Sequence, residues 1–398
     1  MRPFTVNIYC GVFFRHDAIS NSVFHKLRVI EAMARDGAAI AGHVYTLGTD
    51  YRLPNVTIVR SAGELIMQPG FNEADLHIHE FGIVQDLFNA ALLHVAAPKI
   101  VFYHNITPLH LAPDDAARAT IEKSFVQQNN LFLADRIVSI SEFSRRELVA
   151  FGIDTDRLST MHLPPSIDVD FPPRPGFAAT GDRPMRILFV GRFARAKGIL
   201  DLVTAMGILK RHGPDGVVLD LVGATRFSNS ATIAELEALI AAEGVGDIVR
   251  VRGELSDGDL AGAYRAADIF AIPSYHEGFC VPLLEAMTAG CFPVAYDAGN
   301  LPFLMAGLGR LAPVGDIDAL AAALLEIAGE IQAARTHHRA AMLPTERGRM
   351  EEADWRDAMR QHTQSYSRAA FETAMTAFFA DHMARAGNRG APAIAAAI

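Results

Sequence analysis

The residues best suited to chemistry lie in two short stretches of the second half of the chain. The first is Gly191-Arg192-Phe193-Ala194-Arg195-Ala196-Lys197-Gly198, which follows an apolar run at 186–190. A strand, a glycine turn and a helix start make an anion site. The first N–H groups of a helix have no intrahelical partner, and the helix dipole favours negative charge there. Arg192 and Lys197 add cations at the same end, and the window 183–197 carries five positive residues and no negative one. Alone, such a run is as readily a solvated surface.

The second stretch is Pro273-Ser274-Tyr275-His276-Glu277-Gly278-Phe279-Cys280-Val281-Pro282-Leu283-Leu284-Glu285-Ala286-Met287. An apolar run at 269–272 ends at Pro273, a glycine-containing loop follows, and Pro282 suits the first turn of a helix that Gly290 closes. Glu277 then lies in the loop and Glu285 in the first turns of the helix. Both fall at the C-terminal edge of a parallel sheet, where open α/β sheets bind ligands. A helix-start glutamate also serves the dipole without any ligand.

The elements that must hold these loops alternate in type. Strands are predicted over 5–10, 41–46, 76–79, 99–103 and 136–139, with a helix over 23–35. After a stretch interrupted by Pro164, Pro165, Pro172, Pro173, Pro175 and Pro184, the alternation resumes. Strands at 186–190, 217–222, 248–252, 269–272 and 292–296 are separated by helices at 198–211, 232–242, 257–267 and 282–289, with a last helix at 317–334. Strands alternating with helices imply βαβ units and parallel sheets. The expected organisation is α/β, with an N-terminal Rossmann-like domain at 1–165, a Pro-rich linker at 166–184 and a second Rossmann-like domain at 185–350. Helices at 351–385, Trp355 among them, are expected to return to the first domain, followed by a flexible tail at 386–398.

Bulk properties exclude several classes. The 398 residues suit two cores, half of them are hydrophobic, and the net charge of −9 argues against a nucleic-acid partner. Cys10, Cys280 and Cys291 form no C-x-x-C pair, so neither a zinc site nor a disulfide framework is indicated, which fits a reducing compartment. No basic segment precedes a long apolar one at the N-terminus, and the apolar window 90–103 is broken by His94, Pro98 and Lys99. A cytoplasmic protein is expected, with peripheral attachment to the inner face of a membrane left open.

The spacing GRF-x3-KG, then PSxxEGF-x2-P-x2-EAM-x2-G-x2-PV, resembles the signature of glycosyltransferase family 4, retaining enzymes of the GT-B fold. Leu221 to Gly223, the stretch 253–267, Asp297 to Pro302 and the Gly307-Leu308-Gly309 loop match as well, so the resemblance covers about 185–335. It is looser at 101–108 (VFYHNITP) and 138–153. The resemblance implies two Rossmann-like domains facing a cleft, an acceptor-side domain first and a nucleotide-sugar-binding domain second.

It also implies roles. Arg192 and Lys197 hold the leaving diphosphate, Glu285 the ribose, and Glu277 the transferred sugar beside the Gly278-Phe279-Cys280-Val281 backbone. Arg252, Glu254 and Leu255 face the base, with Gly223 in the same donor site. His104 reaches the sugar and acceptor, and Gly11 approaches the phosphates. The catalytic set is Glu277, His104, Arg192 and Lys197. The implied activity is retaining, metal-independent transfer from a UDP- or GDP-sugar to a glycan, lipid-linked or small-molecule acceptor, without a cofactor. The Asp-x-Asp spacings at 154/156, 168/170, 257/259 and 316/318 fall in linker or helix-start contexts, so no metal ligands are expected. A non-catalytic nucleotide-sugar-binding subunit and a sugar-nucleotide epimerase are the competing readings. Cys280, Asn300 and Phe303 depart from the family pattern.

Overall fold

The central strands are buried on both faces, β4 (Leu76–Phe81) along its whole length, as a parallel sheet covered by helices on both sides requires. The computed structural model describes residues 2–15, 17–94, 96–167, 171–181, 183–223 and 230–389. They form two units, Met1–Ser166 with Ser367–Ile398, and Ile167–Tyr366.

The first unit runs β1 (Phe4–Cys10), α1 (Ala18–Arg35), β2 (Ile40–Thr46), β3 (Val56–Ile58), α2 (Ala62–Ile66), β4, α3 (Asp86–His94) and β5 (Lys99–Tyr103). It continues with α4 (Asp115–Gln128), β6 (Arg136–Ser139), α5 (Glu142–Ala150) and β7 (Leu158–Thr160). Asp17, Asp114 and Ser141 cap α1, α4 and α5 by accepting N–H groups of the first turn. The seven strands pair in the order β3-β2-β1-β4-β5-β6-β7, all parallel.

The second unit contains β8 (Met185–Val190), α6 (Ile199–His212), β9 (Val217–Val222), α7 (Ser230–Ala242), β10 (Val249–Gly253), α8 (Asp257–Ala266) and β11 (Ile269–Ile272). Next come α9 (Val281–Thr288), β12 (Phe292–Tyr296), α10 (Leu301–Met305), β13 (Arg310–Ala312), α11 (Ile317–His337), a hairpin of β14 (Met342–Thr345) and β15 (Gly348–Glu351), and α12 (Glu352–Gln364). Its parallel sheet has the order β10-β9-β8-β11-β12-β13. The α/β, two-Rossmann expectation holds.

Two boundaries differ from the sequence reading, for one reason. From Ile167 on, the stretch expected as a linker belongs to the second unit, and so does α12. Glu352 accepts the Phe177 N–H at 2.9 Å and pairs with Arg356, whose guanidinium lies 4.9 Å from the centre of the Phe177 ring. Trp355 is fully buried against Phe292 and donates its indole N–H to Leu308 O at 2.7 Å. Trp355 therefore does not return to the first unit. The helix that packs there is α13 (Arg368–Arg389), where Phe371, Met375 and Phe379 join the core beneath β1, β4 and α1. Each such buried side chain contributes about 1.5–3 kcal/mol. Residues 390–398, most of the expected tail, lie outside the described residues.

Candidate active site

In the second sheet the chain leaves β8 toward β9 and β10, then returns to β8's other side with β11. The loops after β8 and β11 therefore flank a topological switch point, where open α/β sheets bind ligands. The first of these loops ends in a single turn, Arg195–Lys197, and Gly198 at φ +63°. A Cβ on Gly198 would sit 1.9 Å from the Pro273 carbonyl oxygen, so only glycine lets the two loops touch. Tyr275 N–H donates to Ala196 O at 2.9 Å, tying them together.

Across this contact Lys197 Nζ donates to Glu277 Oε1 at 2.7 Å, and Ser274 Oγ donates to the same oxygen at 2.8 Å. Arg192 is exposed and makes no ion pair among the described residues, whereas Arg195 turns away to Glu235 at 2.6 Å. Gly223, at the end of β9, completes this edge: a Cβ there would lie 2.0 Å from Gly191 O.

The loop after β11 is pinned from below. Asn300 donates its backbone N–H to Glu277 O at 2.8 Å and its side-chain Nδ2 to Phe279 O at 3.1 Å. Gly278 is half-buried, and Phe279, Cys280 and Val281 are buried. Cys280 takes φ +78°, a conformation that costs a residue with a Cβ about 1–2 kcal/mol. Burial pushes its thiol well above the usual range. Glu285 is buried in α9, accepting Tyr264 Oη–H at 2.9 Å and Ile167 N–H at 3.2 Å. Tyr275 and Tyr296 both donate to Asp201 Oδ2 at 2.7 Å.

The structure thus brings Arg192, Lys197, Gly223, Glu277, Gly278, Phe279, Cys280, Val281 and Glu285 to one edge. Arg252 stands apart. It lies in β10, the edge strand, and its guanidinium lies 3.4 Å from Asp220, whose other oxygen takes Arg186 at 3.2 Å. Glu254 beyond it is exposed and Leu255 half-buried. Ser274, Asn300, Asp201 and Tyr264 are supporting residues that the sequence reading missed. Two had a signal: Ser274 as part of the PSxxEGF motif, and Asn300 as an asparagine where the family pattern has glycine.

In the first unit the switch lies between β1 and β4. Gly11 directly follows β1, its carbonyl accepting Leu47 N–H at 3.0 Å. His104 directly follows β5, and its Nε2 meets Glu80 Oε2 at 2.5 Å. Glu80 Oε1 lies 2.8 Å from Lys26 Nζ, with both side chains fully buried. The ammonium also sits 3.8 Å over the Phe102 ring and donates to Ser22 Oγ at 2.5 Å. Burial alone would raise the Glu80 carboxyl, but Lys26 and His104 outweigh it and hold it below the usual range. Neither Lys26 nor Glu80 was legible as a site residue.

Residues 177–337 match the family model for glycosyl transferases group 1. The curated D-inositol 3-phosphate glycosyltransferase of Corynebacterium kroppenstedtii is 31% identical over 230 residues, covering 55% of this chain and 50% of that protein. The one from Paenarthrobacter aurescens is 34% identical over 180 residues, 42% of each. The chain spans about half the length of the curated relatives it matches.

Among solved structures, sucrose-phosphate synthase from Thermosynechococcus elongatus superposes with a TM-score of 0.71 at 20% identity, covering 96% of this chain and 99% of that one. Anabaena HepE, solved in complex with UDP and glucose, does so with a TM-score of 0.70 at 16% identity, covering 95% and 100%. These likenesses show the fold, two Rossmann-like units of the GT-B type. The glycosyl transferases group 1 match spans both the Arg192–Lys197 loop and the Glu277–Glu285 loop. Among the described residues no group of three or more His, Cys, Asp and Glu is arranged to hold a metal ion, and no helix is long and apolar enough to cross a membrane.

Proposed function

We propose that the protein is a glycosyltransferase that moves a sugar from a nucleoside-diphosphate donor to a hydroxyl acceptor, with retention and without a metal. The observation that carries this reading is the Lys197–Glu277 pair, 2.7 Å apart between the two loops that flank the second sheet's switch point. A cation and a carboxylate so held suit the two halves of such a donor. Lys197 and the exposed Arg192 meet the diphosphate and stabilise the charge that grows as it leaves. Glu277, anchored by Lys197 and Ser274, faces the sugar hydroxyls, with the Gly278–Val281 backbone beside it. Glu285 receives the ribose hydroxyls. Gly223 belongs to the phosphate edge, and Arg252, Glu254 and Leu255 to the base side. Gly11 and His104, at the ligand edge of the first sheet, serve phosphates, sugar and acceptor.

Retention rests on the resemblance to family 4. A UDP-sugar donor is supported by HepE, solved with UDP and with UDP-glucose. A small-molecule acceptor is supported by the names of the curated relatives, D-inositol 3-phosphate glycosyltransferases; glycan and lipid-linked acceptors, and work at the cytoplasmic face of a membrane, belong to the same reading.

The test is a thermal-shift screen of UDP-, GDP-, ADP- and TDP-sugars, since a ligand of the native state stabilises by mass action. It is followed by transfer to an acceptor panel with NMR of the fresh product. Stabilisation by one nucleotide class and a product of unchanged anomeric configuration are expected. Donor binding without transfer to any acceptor would contradict it, as would an inverted product.

A further inference from the structure

The chain Lys26–Glu80–His104 joins three elements of the first unit, α1, β4 and the end of β5, inside a fully buried setting. A carboxylate can only accept, so the 2.5 Å contact with Glu80 Oε2 requires His104 Nε2 to donate. Lys26 at 2.8 Å balances the carboxylate's charge, and its own place over Phe102 leaves it little freedom to swing away. In the neutral ring the proton then sits on Nε2 and the lone pair on Nδ1. His104 is 8% exposed, and Nδ1 is buried with no hydrogen-bond partner among the described residues. A buried ring nitrogen left unmade is costly, so such an atom at the ligand edge of a sheet is accounted for by a group that arrives with the ligand. Gly82 keeps β4's end close, since a Cβ there would come within 3.0 Å of the His104 Cβ.

We infer that Lys26 and Glu80 are positioning residues that lock His104 as its Nε2–H tautomer, so that Nδ1 accepts a hydrogen bond from a hydroxyl of the bound sugar or acceptor. This rests on the transferase reading for the nature of the ligand, but not for the tautomer. The relay moves no proton. It fixes which ring nitrogen faces the hydroxyl, the role that outer partners play for many functional histidines.

The test uses the full chain, ¹⁵N-labelled, with long-range ¹H–¹⁵N correlation of the His104 ring at neutral pH. Wild type, Glu80→Gln and the double variant Lys26→Met with Glu80→Leu are compared. The double variant replaces a buried ion pair by apolar residues of similar size, a change that folded proteins often accept. Wild type is expected to show the Nε2–H pattern, and both variants a mixture of tautomers. Transfer kcat/KM is expected to fall about tenfold or more in each, with little further loss when His104→Ala is added, because the residues act as one unit. An Nδ1–H or mixed pattern in wild type overturns the proposal. So does an Nε2–H pattern that survives in both variants, or a changed tautomer with kcat/KM within twofold of wild type. A wild type with the Nε2–H pattern but no transfer to any acceptor would instead overturn the transferase reading.

Discussion

Lys197 and Glu277 stand eighty residues apart in sequence and 2.7 Å apart in the fold. Their meeting depends on the second sheet's strand order, which makes β8 and β11 neighbours, and on Gly198, which lets the two following loops touch. Both side chains are mostly buried, at 20% and 11% exposed, so the pair is less screened than a surface ion pair.

Substitution of Lys197 or Arg192 by alanine is therefore expected to lower kcat more than it raises the donor KM, since the leaving diphosphate gains charge on the way to the transition state. Loss of one charge-assisted contact costs about 1.5–3 kcal/mol, roughly ten- to a hundred-fold in turnover. The double substitution should cost less than the product of the singles. Steady-state kinetics at saturating donor checks this, and two variants that fold and turn over within twofold of wild type would make the loop a plain basic surface.

The two glutamates should separate by assay. Tyr264→Phe removes one hydrogen bond to the Glu285 carboxylate and is expected to lower unfolding free energy by about 1.5–3 kcal/mol with the donor KM little changed. Glu285→Ala should raise the donor KM and also destabilise, because it strands the Tyr264 hydroxyl and the Ile167 N–H. Urea unfolding beside kinetics distinguishes them. A Glu285→Ala enzyme with wild-type donor KM would limit Glu285 to anchoring Tyr264 and Ile167.

Gly198→Ala tests the loop contact itself. The new methyl would meet the Pro273 carbonyl at 1.9 Å in a left-handed backbone, so a stability loss of at least about 2 kcal/mol is expected. Equal melting temperatures for variant and wild type would show that the loops can part at little cost.

Acid should weaken the first unit before its carboxylates titrate. His77 accepts or shares a hydrogen bond with Tyr9 at 2.7 Å, and burial pushes it down to about 4; burial pushes His79, fully enclosed beside it, well below its usual value. The unfolded chain binds these protons near pH 6.5, whereas the native state refuses them until far lower. Stability is thus complete above about pH 6.5 and falls as pH drops toward 4, by up to about 1.4 kcal/mol per pH unit for each histidine. Urea titrations at pH 7, 6 and 5 measure the slope, and His79→Leu should reduce it. A flat profile would mean that the unit admits the charge.

Much of this was legible in sequence because buried parallel strands are continuous apolar runs with polar or turn residues at their ends. Lys99–Tyr103, Arg136–Ser139, Val217–Val222, Ile269–Ile272 and Phe292–Tyr296 have the bounds expected from such runs. Val56–Ile58, Leu158–Thr160 and Arg310–Ala312 are too short to show a period, and the Met342–Glu351 hairpin carries Pro344 and few apolar residues. Trp355 misled because a lone buried aromatic does not say which core it fills; Glu352 and Phe177 decide that through contacts 175 residues apart. Within the site, motif spacing located the two loops. Ser274 and Asn300, which hold Glu277 and Phe279, act through the folded loop alone. Lys26 lies on a helix whose other charges face water, so nothing local distinguished it from them.

The most direct measurement is calorimetric titration of nucleoside diphosphates into wild type, Lys197→Ala and Arg192→Ala, all in EDTA. One diphosphate should bind wild type without metal, and each variant should bind it roughly ten- to a hundred-fold more weakly, the cost of one charge-assisted contact. Equal affinities in all three proteins, or wild-type binding that appears only after Mg²⁺ or Mn²⁺ is restored, would contradict a diphosphate held by these two cations.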